Sequence, residues 1–466
     1  MSRFNNPRAL RTLAPPPVNA AGVDRPAVAP AAVRLPAVLE PHSSFLHAAC
    51  FATLCTYLLS SYANEFAFRL AGGKAYLSTV TLVMLPVFFV LTGTALRGTA
   101  IPLGKWWLAF GAWLGICAPF SVYKSDTLNL LTNYYFRVFI LYFVVCACVF
   151  NAGRLKTLMY VLGAGNFLVV LSCFLFGYSE GGRFAVQGSA FSFLSNANEL
   201  ALQLLLGVII VMFVFFRRGV ALRIAGTCNI AASALYMLKT GSRGAFVAGL
   251  VVMVAVFFLS RNKLKVIALT VPLFIVLMLV LPSSTWRRLT YVAVGNNANA
   301  TVEDESALDS QVQRQRLFWD SVWLTLKNPI VGVGPGQFIV EDAHVRTSKG
   351  QQADWRQTHN SYTQVSSESG LPGFFFYITC IAISMRMSYR VYRHTRDRAG
   401  LEDFAGVSFC MLLSIIGYAV GTIFDHLAYT IYLPIILGIT GATYLAAKPA
   451  IENWRPAAPG TYRNSF

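Results

Sequence analysis

Long runs of apolar residues recur along almost the whole chain, and they limit the fold more than any other feature. A helix needs about 18 or more mainly apolar residues, at roughly 1.5 Å rise each, to cross the hydrocarbon core of a bilayer. With 56% hydrophobic and only 12% charged residues, the sequence predicts an all-α polytopic membrane protein with about 12 transmembrane helices. The predicted segments are 44–62, 75–95, 104–121, 127–149, 156–177, 197–216, 220–238, 243–260, 264–281, 361–385, 403–423 and 428–446.

The distribution of Lys and Arg predicts the orientation of these segments. Cytoplasmic loops carry an excess of basic residues. With the N-terminus inside, more than half of the 38 Lys and Arg residues fall in cytoplasmic segments. The net charge of +18 therefore reflects topology, so we expect both termini in the cytoplasm and no nucleic-acid partner. The short outer loops hold few basic residues, namely Arg69, Lys74, Lys124, Arg183, Lys239 and Arg243.

The apolar pattern divides the chain into five parts. Residues 1–43 are rich in Pro, Ala and Arg and are predicted to be a disordered basic cytoplasmic tail. Segments 44–281 and 361–446 hold transmembrane helices 1–9 and 10–12, and 447–466 is a second cytoplasmic tail. Segment 282–360 is a large loop on the outer side of the membrane, the outer loop. All nine cysteines fall in apolar spans without metal-ligand spacing, so no metal site or disulfide framework is predicted.

The outer loop contains an amphipathic pattern. Apolar residues recur at near-helical spacing over 309–327, which predicts a helix lying on the membrane or capping the bundle. Pro329 is expected to end it. The glycine-rich turn 332–336 that follows resembles a nucleotide loop only superficially, because no βαβ unit surrounds it. A turn that approaches a phosphate or sugar and a purely structural turn both remain open.

His359 is the sharpest candidate for catalysis. Asn360 and Ser361 follow it where the next membrane helix should begin, and either residue can cap a helix start. The positive end of the helix dipole favours a neutral imidazole, which is the form a general base needs. The alternative is a histidine that only forms hydrogen bonds at the interface. Tyr362 and Glu368, further along this segment, are supporting candidates.

Four arginines are predicted at the outer face: Arg183, Arg243, Arg314 and Arg316. Guanidinium groups bind phosphate oxygens in a bidentate way, so this set suits a pyrophosphate clamp. The alternative is that each arginine reaches out to a lipid headgroup.

Polar residues at membrane depth form a second candidate group. Arg137 lies near the middle of the fourth predicted span, where a charge costs roughly 3 kcal/mol or more. Glu199 and Asp425 are the candidate partners of Arg137. Asn196, at the start of the sixth span, either supports a site or ties helices together.

The order of these motifs resembles the O-antigen ligase family and its relatives, the O-antigen polymerases and bacterial protein O-oligosaccharyltransferases. The resemblance rests on Thr-Gly-Ser-Arg-Gly at 240–244, an Arg-bearing helix with Trp319, the motif 328–338 and His359-Asn360. It implies a GT-C-like glycosyltransferase of the Gram-negative inner membrane with its active site facing the periplasm. The donor would be an undecaprenyl-pyrophosphate-linked O-antigen and the acceptor a sugar hydroxyl of lipid A–core. No metal or nucleotide cofactor is expected.

The resemblance also assigns roles to residues. His359 matches the essential histidine of the family and Arg243 its outer-turn arginine. The loop arginine of the family lies four residues before a tryptophan, but Trp319 places Gln315 there, so either Arg314 or Arg316 corresponds. The implied reaction is an inverting displacement, with His359 as base and the arginines holding the departing pyrophosphate.

Other functions stay open at this point. A polymerase or a protein-directed transferase needs the same donor clamp. A transporter of an anionic lipid-linked substrate is a different class, and Arg137 is the residue that favours it, since transporters concentrate polar residues at the midplane.

Overall fold

The computed structural model describes residues 45–62, 77–180, 183–187, 196–215, 219–280 and 302–454. These residues are almost entirely helical. A short antiparallel hairpin of β1 (Gly177–Glu180) and β2 (Arg183–Val186) is the exception. The helices are α1 Phe45–Tyr62, α2 Leu77–Leu91, α3 Pro102–Cys117, α4 Lys124–Cys148, α5 Ala152–Phe176, α6 Ala197–Phe215, α7 Val220–Lys239, α8 Arg243–Leu259, α9 Lys263–Val280, α10 Val302–Lys327, α11 Phe338–Ser348, α12 Ser361–Thr395, α13 Glu402–Gly421 and α14 Tyr432–Glu452.

The predicted membrane segments all coincide with helices. Among the described helices, seven are long and apolar enough to cross a membrane, namely α1, α4, α5, α7, α12, α13 and α14. Helices α2, α6 and α8 are apolar but shorter. The chain is therefore a helical, multi-pass membrane protein. The full number of twelve crossings stays a prediction, as does the GT-C-like class.

Some helices extend beyond their predicted segments. Helix α12 continues to Thr395, so that Arg386, Arg390 and Arg393 lie on a helix and not in a loop. Helix α14 continues into the predicted tail as far as Glu452. Hydropathy reports where apolar composition ends, whereas backbone hydrogen bonding can continue into water. The predicted tail 1–43, residues 282–301 of the predicted outer loop and residues 455–466 lie outside the described residues.

The central core is built around α14 and the second half of α4. The thiol of Cys146 on α4 contacts the carbonyl oxygen of Gly438 on α14 at 3.7 Å. A Cβ atom at Gly438 would lie 2.9 Å from Cβ of Val145, so glycine is what allows these helices to approach so closely. The first half of α4 is less regular, because a π-helical turn interrupts it at Leu131–Tyr135.

Contacts at the two ends of the bundle join segments that are predicted to lie on the same side of the membrane. Lys156 and Asp403 form an ion pair of 2.9 Å, and Arg261 pairs with Asp397. These four residues come from loops and helix ends predicted to lie in the cytoplasm. Outer segments meet one another in the same way, since the amide of Val122 donates to the carbonyl of Val333 at 3.0 Å.

The predicted amphipathic helix 309–327 is confirmed as part of α10, which begins earlier and ends at Lys327. One face packs on α12, where the hydroxyls of Thr325 and Ser366 lie 2.9 Å apart. Leu317 and Leu324 are buried on this face. A second apolar stripe, made of Val312, Trp319, Trp323 and Leu326, is exposed. Helix α10 therefore caps the bundle and offers a stripe suited to the membrane interface.

Candidate active site

Asn360 begins helix α12. Its side-chain oxygen accepts hydrogen bonds from the amides of Tyr362 at 2.9 Å and Thr363 at 3.1 Å. These bonds satisfy amides that have no partner within the helix. The prediction that Asn360 or Ser361 caps this helix is thus confirmed for Asn360, and His359 lies directly before the cap.

Ser361 joins the start of α12 to the loop between α13 and α14. Its hydroxyl donates to the carbonyl of Asp425 at 2.8 Å and accepts from the amide of Leu427 at 2.7 Å. Its own amide donates to the carbonyl of Thr422 at 2.9 Å. Three hydrogen bonds therefore hold the loop 422–431 against the residues that carry His359.

His359 has a strained backbone. Its φ angle is +50°, and it is the sole non-glycine residue of the described chain with a positive φ. A left-handed conformation costs a non-glycine residue roughly 1–3 kcal/mol and persists where the surroundings enforce it. Such strain concentrates at functional sites, and the bonds made by Asn360 and Ser361 on its C-terminal side fix this conformation here.

Asp425 and His426 lie beside His359. The two imidazole rings meet edge to face, with centroids 5.3 Å apart. Nδ1 of His426 lies 3.2 Å from Oδ1 of Asp425, whose side chain is almost completely buried. Nδ1 of His359 and Oδ2 of Asp425 are buried and have no hydrogen-bond partner among the described residues. Polar atoms of three side chains thus converge in one small volume.

The environment moves the pKa values of the two histidines in opposite directions. Burial and the positive charges of His426 and Arg314 lower the pKa of His359 to about 4. Burial also acts to lower the pKa of His426, but the contact with Asp425 outweighs it, and the pKa is raised above its usual value. His359 is therefore neutral near pH 7, as the sequence predicted. Burial contributes more to this shift than any neighbouring charge.

The two candidate loop arginines have different surroundings. Arg316 forms ion pairs with Asp354 and, at 3.6 Å, with Asp320. Burial opposes the effect, but hydrogen bonds from Arg316 and Gln313 hold the pKa of Asp354 below its usual value. Arg314, by contrast, acts on His359 through its charge. Of the two, Arg314 is the one whose charge acts on the histidine, and Arg316 is paired with acids of the loop and of its own helix.

The other two predicted arginines lie at the start of α8 and on β2. Arg243 is the first residue of α8, and its guanidinium donates to the side-chain oxygen of Gln311 on α10 at 3.3 Å. This bond connects the outer turn with the helix that carries Arg314. Arg183 on β2 donates to the side-chain oxygen of Asn198 at 2.6 Å.

Asn196 lies just before α6 and contacts an acid. Its side-chain amide donates to Oε1 of Glu199 at 3.1 Å, and its oxygen accepts from the amide of Asn198 at 3.0 Å. The charge of Glu199 acts on His426. The start of α6, with Arg183 bonded to it, therefore faces the same outer cluster as His359.

The glycine-rich turn is structural. Gly332, Gly334 and Gly336 all have positive φ angles, which glycine adopts without strain. The amides of Val333 and Gly334 donate to the carbonyls of Ser367 and Glu368 at 2.8 and 3.0 Å. Since these amides are already bonded to α12, the turn does not offer them to a phosphate.

Glu368 completes this turn. One carboxylate oxygen accepts a hydrogen bond of 2.9 Å from the amide of Gly336, so an internal carboxylate fills the place of an external anion. Helix α12 kinks two residues later at Gly370, where the amide of Leu371 donates to the carbonyl of Pro329. Tyr362 faces away from the turn, and its hydroxyl donates to the carbonyl of Ala419 at 2.6 Å. Both supporting candidates therefore hold the scaffold.

Arg137 is not part of this cluster. It lies half-buried on α4, and within the described residues it forms no ion pair with Glu199 or Asp425. Both acids instead have neighbours in the outer cluster. The predicted pairing of Arg137 with one of them is therefore wrong for this structure.

An apolar cavity of about 300 Å³ lies beside the loop 422–431. Its walls are almost entirely hydrophobic. Tyr429 and Tyr135 stack with ring centroids 4.4 Å apart and form part of the wall. The other lining residues include Trp107, Phe110, Leu114 and Phe139. Because Tyr429 is three residues from His426 along the chain, a hydrophobic ligand here would lie near the polar cluster.

The polar cluster also has the composition of a cation site. His359, Asp425 and His426 each offer a ligand atom, and these atoms lie within 4.8 Å of one another. The expectation of no metal rested on the cysteine spacing and on the family resemblance, and neither concerns histidines that come together from distant parts of the chain.

The comparison with protein families adds an independent observation. Residues 228–378 match the family model described as O-antigen ligase. The chain carries an O-antigen ligase family domain. No match was found among curated proteins.

The O-antigen ligase domain contains most of the predicted site. It runs from within α7 to within α12 and includes Arg243, Arg314, Arg316 and His359. Arg183 and Asn196 precede it, and the loop with Asp425 and His426 follows it. The neighbours of His359 are therefore contributed from outside the matched region.

Sequence reasoning missed His426 and misassigned Asp425. The two are separated from His359 by more than 60 residues, and only the packing of α12 against α13 joins them. A signal was present, since an Asp-His pair in an outer loop between two apolar helices is unusual. Asp354, which binds Arg316, carried no such signal, because the surrounding loop contains many balanced charges.

Proposed function

We propose that the chain is an O-antigen ligase that transfers an undecaprenyl-pyrophosphate-linked polysaccharide onto a sugar hydroxyl of lipid A–core. The reaction takes place at the periplasmic face of a Gram-negative inner membrane, with both termini in the cytoplasm. The observation that carries this proposal is a neutral, strained His359 close to Arg314 inside an O-antigen ligase domain. This arrangement supplies a base and a cation for the same reaction.

His359 is the general base in this proposal. Its imidazole takes the proton of the acceptor hydroxyl while that oxygen attacks the anomeric carbon of the first donor sugar. A new carbon–oxygen bond forms as the bond to the pyrophosphate oxygen breaks. Undecaprenyl pyrophosphate leaves, and its newly charged oxygen accepts the proton from His359 directly or through water. A single displacement of this kind inverts the anomeric centre.

Asp425 and His426 support this base, and the carboxylate of Asp425 balances its charge. When His359 takes a proton, the nearby carboxylate of Asp425 stabilises the new positive charge. The backbone amide of His426 donates to Oδ1 of the same carboxylate at 2.9 Å and keeps it in place. Ser361 holds the whole loop against His359.

In this proposal, arginines from α8, α10 and β2 stabilise the leaving pyrophosphate. Arg314 and Arg243 are the strongest candidates, because one acts on His359 and the other is bonded to the helix that carries Arg314. Arg183 extends the set along the start of α6. Arg316 has its ion pairs with Asp354 and Asp320, so we assign it to the stability of the loop.

The apolar cavity beside Tyr429 supports a lipid-linked donor. An isoprenoid segment fits a hydrophobic cavity of about 300 Å³ next to a polar cluster, and it would leave the pyrophosphate facing the arginines. No nucleotide or metal takes part in the proposed chemistry, since the donor already carries its leaving group.

Reconstituted transfer tests the proposal. The purified chain in nanodiscs receives undecaprenyl-pyrophosphate-linked glycan and lipid A–core, without nucleotide and with a chelator. We expect the lipid A–core to shift to a ladder of glycan-bearing products on a gel. Lengthening of the lipid-linked glycan without such a ladder would assign the chain to the polymerases of the same superfamily. Glycan attached to added protein would indicate an oligosaccharyltransferase, and transport of the donor without any product would indicate a transporter.

A further inference from the structure

The cluster of His359, Asp425 and His426 has features that a general base and its support do not require. Their ligand atoms all lie within 4.8 Å of one another. Oδ2 of Asp425 has no hydrogen-bond partner among the described residues, although the side chain is only 3% exposed. A buried carboxylate oxygen without a partner is costly, and it usually signals a missing ligand or water.

The donor atoms select the class of ligand. Two imidazole nitrogens and one carboxylate oxygen are the ligands of Zn²⁺ and similar divalent transition-metal ions. Mg²⁺ and Ca²⁺ prefer sets made only of oxygen. Bonds of about 2.0 Å to a tetrahedral Zn²⁺ place two ligand atoms about 3.3 Å apart. Nδ1 of His426 lies 3.2 Å from the Asp425 carboxylate at Oδ1, close to that separation. Because Oδ1 accepts the backbone amide of His426 at 2.9 Å, Oδ2 is the oxygen that remains for a metal.

The backbone holds these ligands in place. Asp425 and His426 lie in a loop that Ser361 anchors through two hydrogen bonds. His359 is fixed by a strained φ angle directly before the cap of α12. Three ligands on two anchored segments leave at least one coordination position for water or a substrate oxygen.

We propose that His359, Asp425 and His426 form a binding site for a divalent transition-metal ion of the Zn²⁺ type, and that its occupancy inhibits the transfer reaction. The inhibition follows from the chemistry of imidazole. A neutral imidazole has one nitrogen with a free lone pair, and the other nitrogen carries a proton. A metal bound to His359 uses that lone pair, so no base remains for the acceptor hydroxyl. Binding stands on the geometry alone, whereas inhibition also rests on the proposed function.

Metal binding is measured first, without any assay of activity. The full-length chain in nanodiscs is stripped with a chelator and titrated with Zn²⁺ against a chromophoric competitor. We expect Asp425→Asn and His426→Gln each to weaken binding by at least about tenfold. His344→Gln is the matched control, because His344 is an exposed histidine at the same end of the bundle that contacts Tyr123. Retention of full affinity by both cluster variants overturns the proposal.

X-ray absorption identifies the ligands. We expect Zn–N and Zn–O distances of about 2.0–2.2 Å and no sulfur ligand at about 2.3 Å. A sulfur shell would show that free cysteines such as the exposed Cys228 hold the metal, and it would also overturn the proposal. Size-exclusion and thermal unfolding profiles of the variants show whether each is folded. The near-isosteric Asp425→Asn keeps the test decisive if His426→Gln fails to fold.

Activity is measured second. Zn²⁺ should lower ladder formation in the wild type and in His344→Gln, and a chelator should restore it. Full activity with the site occupied would contradict the inhibitory role. If nitrogen- and oxygen-bound Zn²⁺ is found but no product forms under any condition, the metal site stands and the proposed function fails. If transfer occurs but Zn²⁺ does not bind the cluster, the proposed function stands and the metal site fails.

Discussion

The hydroxyl of Ser361 donates a hydrogen bond of 2.8 Å to the backbone carbonyl of Asp425. The same hydroxyl accepts the amide of Leu427 at 2.7 Å, and it is completely buried. One side chain at the start of α12 thus fixes the loop that carries Asp425 and His426 against His359. The position of the candidate base therefore depends on a contact between two distant parts of the chain.

Ser361→Ala should weaken this connection. Two buried backbone groups lose their partner, which costs about 1–3 kcal/mol each when they stay buried. We expect a lower unfolding temperature and a slower transfer rate, because Asp425 and His426 are then less firmly held. Ser348→Ala is the control, since the Ser348 hydroxyl bonds only to its own exposed turn. A native unfolding temperature together with a native rate in Ser361→Ala would contradict the role of this contact.

Gly370→Ala tests the kink of α12. Gly370 has a φ of +70°, and a Cβ atom there would lie 2.0 Å from the carbonyl oxygen of Ile330. Gly350 has nearly the same φ of +71° but nothing within 4 Å of its Cβ position. Gly350→Ala should therefore cost only the left-handed strain, about 1–2 kcal/mol. Gly370→Ala also forces the glycine-rich turn off the helix.

Thermal unfolding of the two variants in the same detergent separates these costs. We expect Gly370→Ala to lower the unfolding temperature clearly more than Gly350→Ala does. Equal shifts in the unfolding temperature would mean that the segment 329–336 moves away from α12 without a loss of stability. The close backbone packing at Gly370 would then not stabilise the fold.

Arg314 and Arg316 should separate into a catalytic and a structural role. Arg314→Ala is expected to slow transfer by at least about tenfold, because a charged hydrogen bond contributes about 1.5–3 kcal/mol. Arg316→Ala should mainly lower the unfolding temperature, and Asp354→Asn should do the same. Initial rates of ladder formation and thermal unfolding are measured for each, with Lys327→Ala on the same helix as the control.

A double-variant cycle sharpens this assignment. If the pair Arg316–Asp354 acts as one unit, Arg316→Ala combined with Asp354→Asn destabilises the chain little more than either change alone. The assignment fails if Arg316→Ala abolishes transfer while unfolding at the wild-type temperature.

Asp342 predicts a pH dependence of stability. Burial, together with the negative charge of Asp320, raises the pKa of this carboxyl on α11 to about 6. The folded state holds this proton more tightly than the unfolded state, so protonation of Asp342 stabilises the fold. This contribution is complete below about pH 4 and is lost as the pH rises through 6. Asp342→Asn should therefore raise the unfolding temperature at pH 7.5 and have little effect at pH 4.5.

The control for this prediction is Glu341→Gln, which removes the neighbouring, less buried carboxylate. It should change the unfolding temperature similarly at both pH values. A stabilisation by Asp342→Asn that is equal at pH 4.5 and 7.5 would show that burial of this carboxylate is not costly.

The helices could be predicted because a membrane leaves the backbone few choices. An apolar run that crosses the bilayer must satisfy its own hydrogen bonds, so segments such as 220–238 and 403–423 appear as helices near their predicted bounds. The cap at Asn360 was equally readable, since the residue type and its place before an apolar run define it. These features depend on neighbours within a few residues.

The surroundings of His359 could not be read in the same way. Asp425 and His426 reach it only through the packing of α12 on α13 and the bonds of Ser361. The sequence does not distinguish the role of Arg316 from that of Arg314, because the ion pair between Arg316 and Asp354 forms only in the folded chain. The glycine-rich turn could not be assigned from sequence, because the carboxylate that fills it comes from Glu368 on another element. Each of these depends on contacts between distant residues.

The central claim is that His359 is the base of a glycan transfer, and one comparison of rates tests it most directly. Initial rates of ladder formation are measured in nanodiscs for the wild type, His359→Gln and His344→Gln, with a chelator present throughout. Loss of a general base slows a reaction by about 10²–10⁴, so we predict a fall of that size for His359→Gln and a near wild-type rate for His344→Gln. A folded His359→Gln variant that transfers glycan at the wild-type rate would contradict the claim.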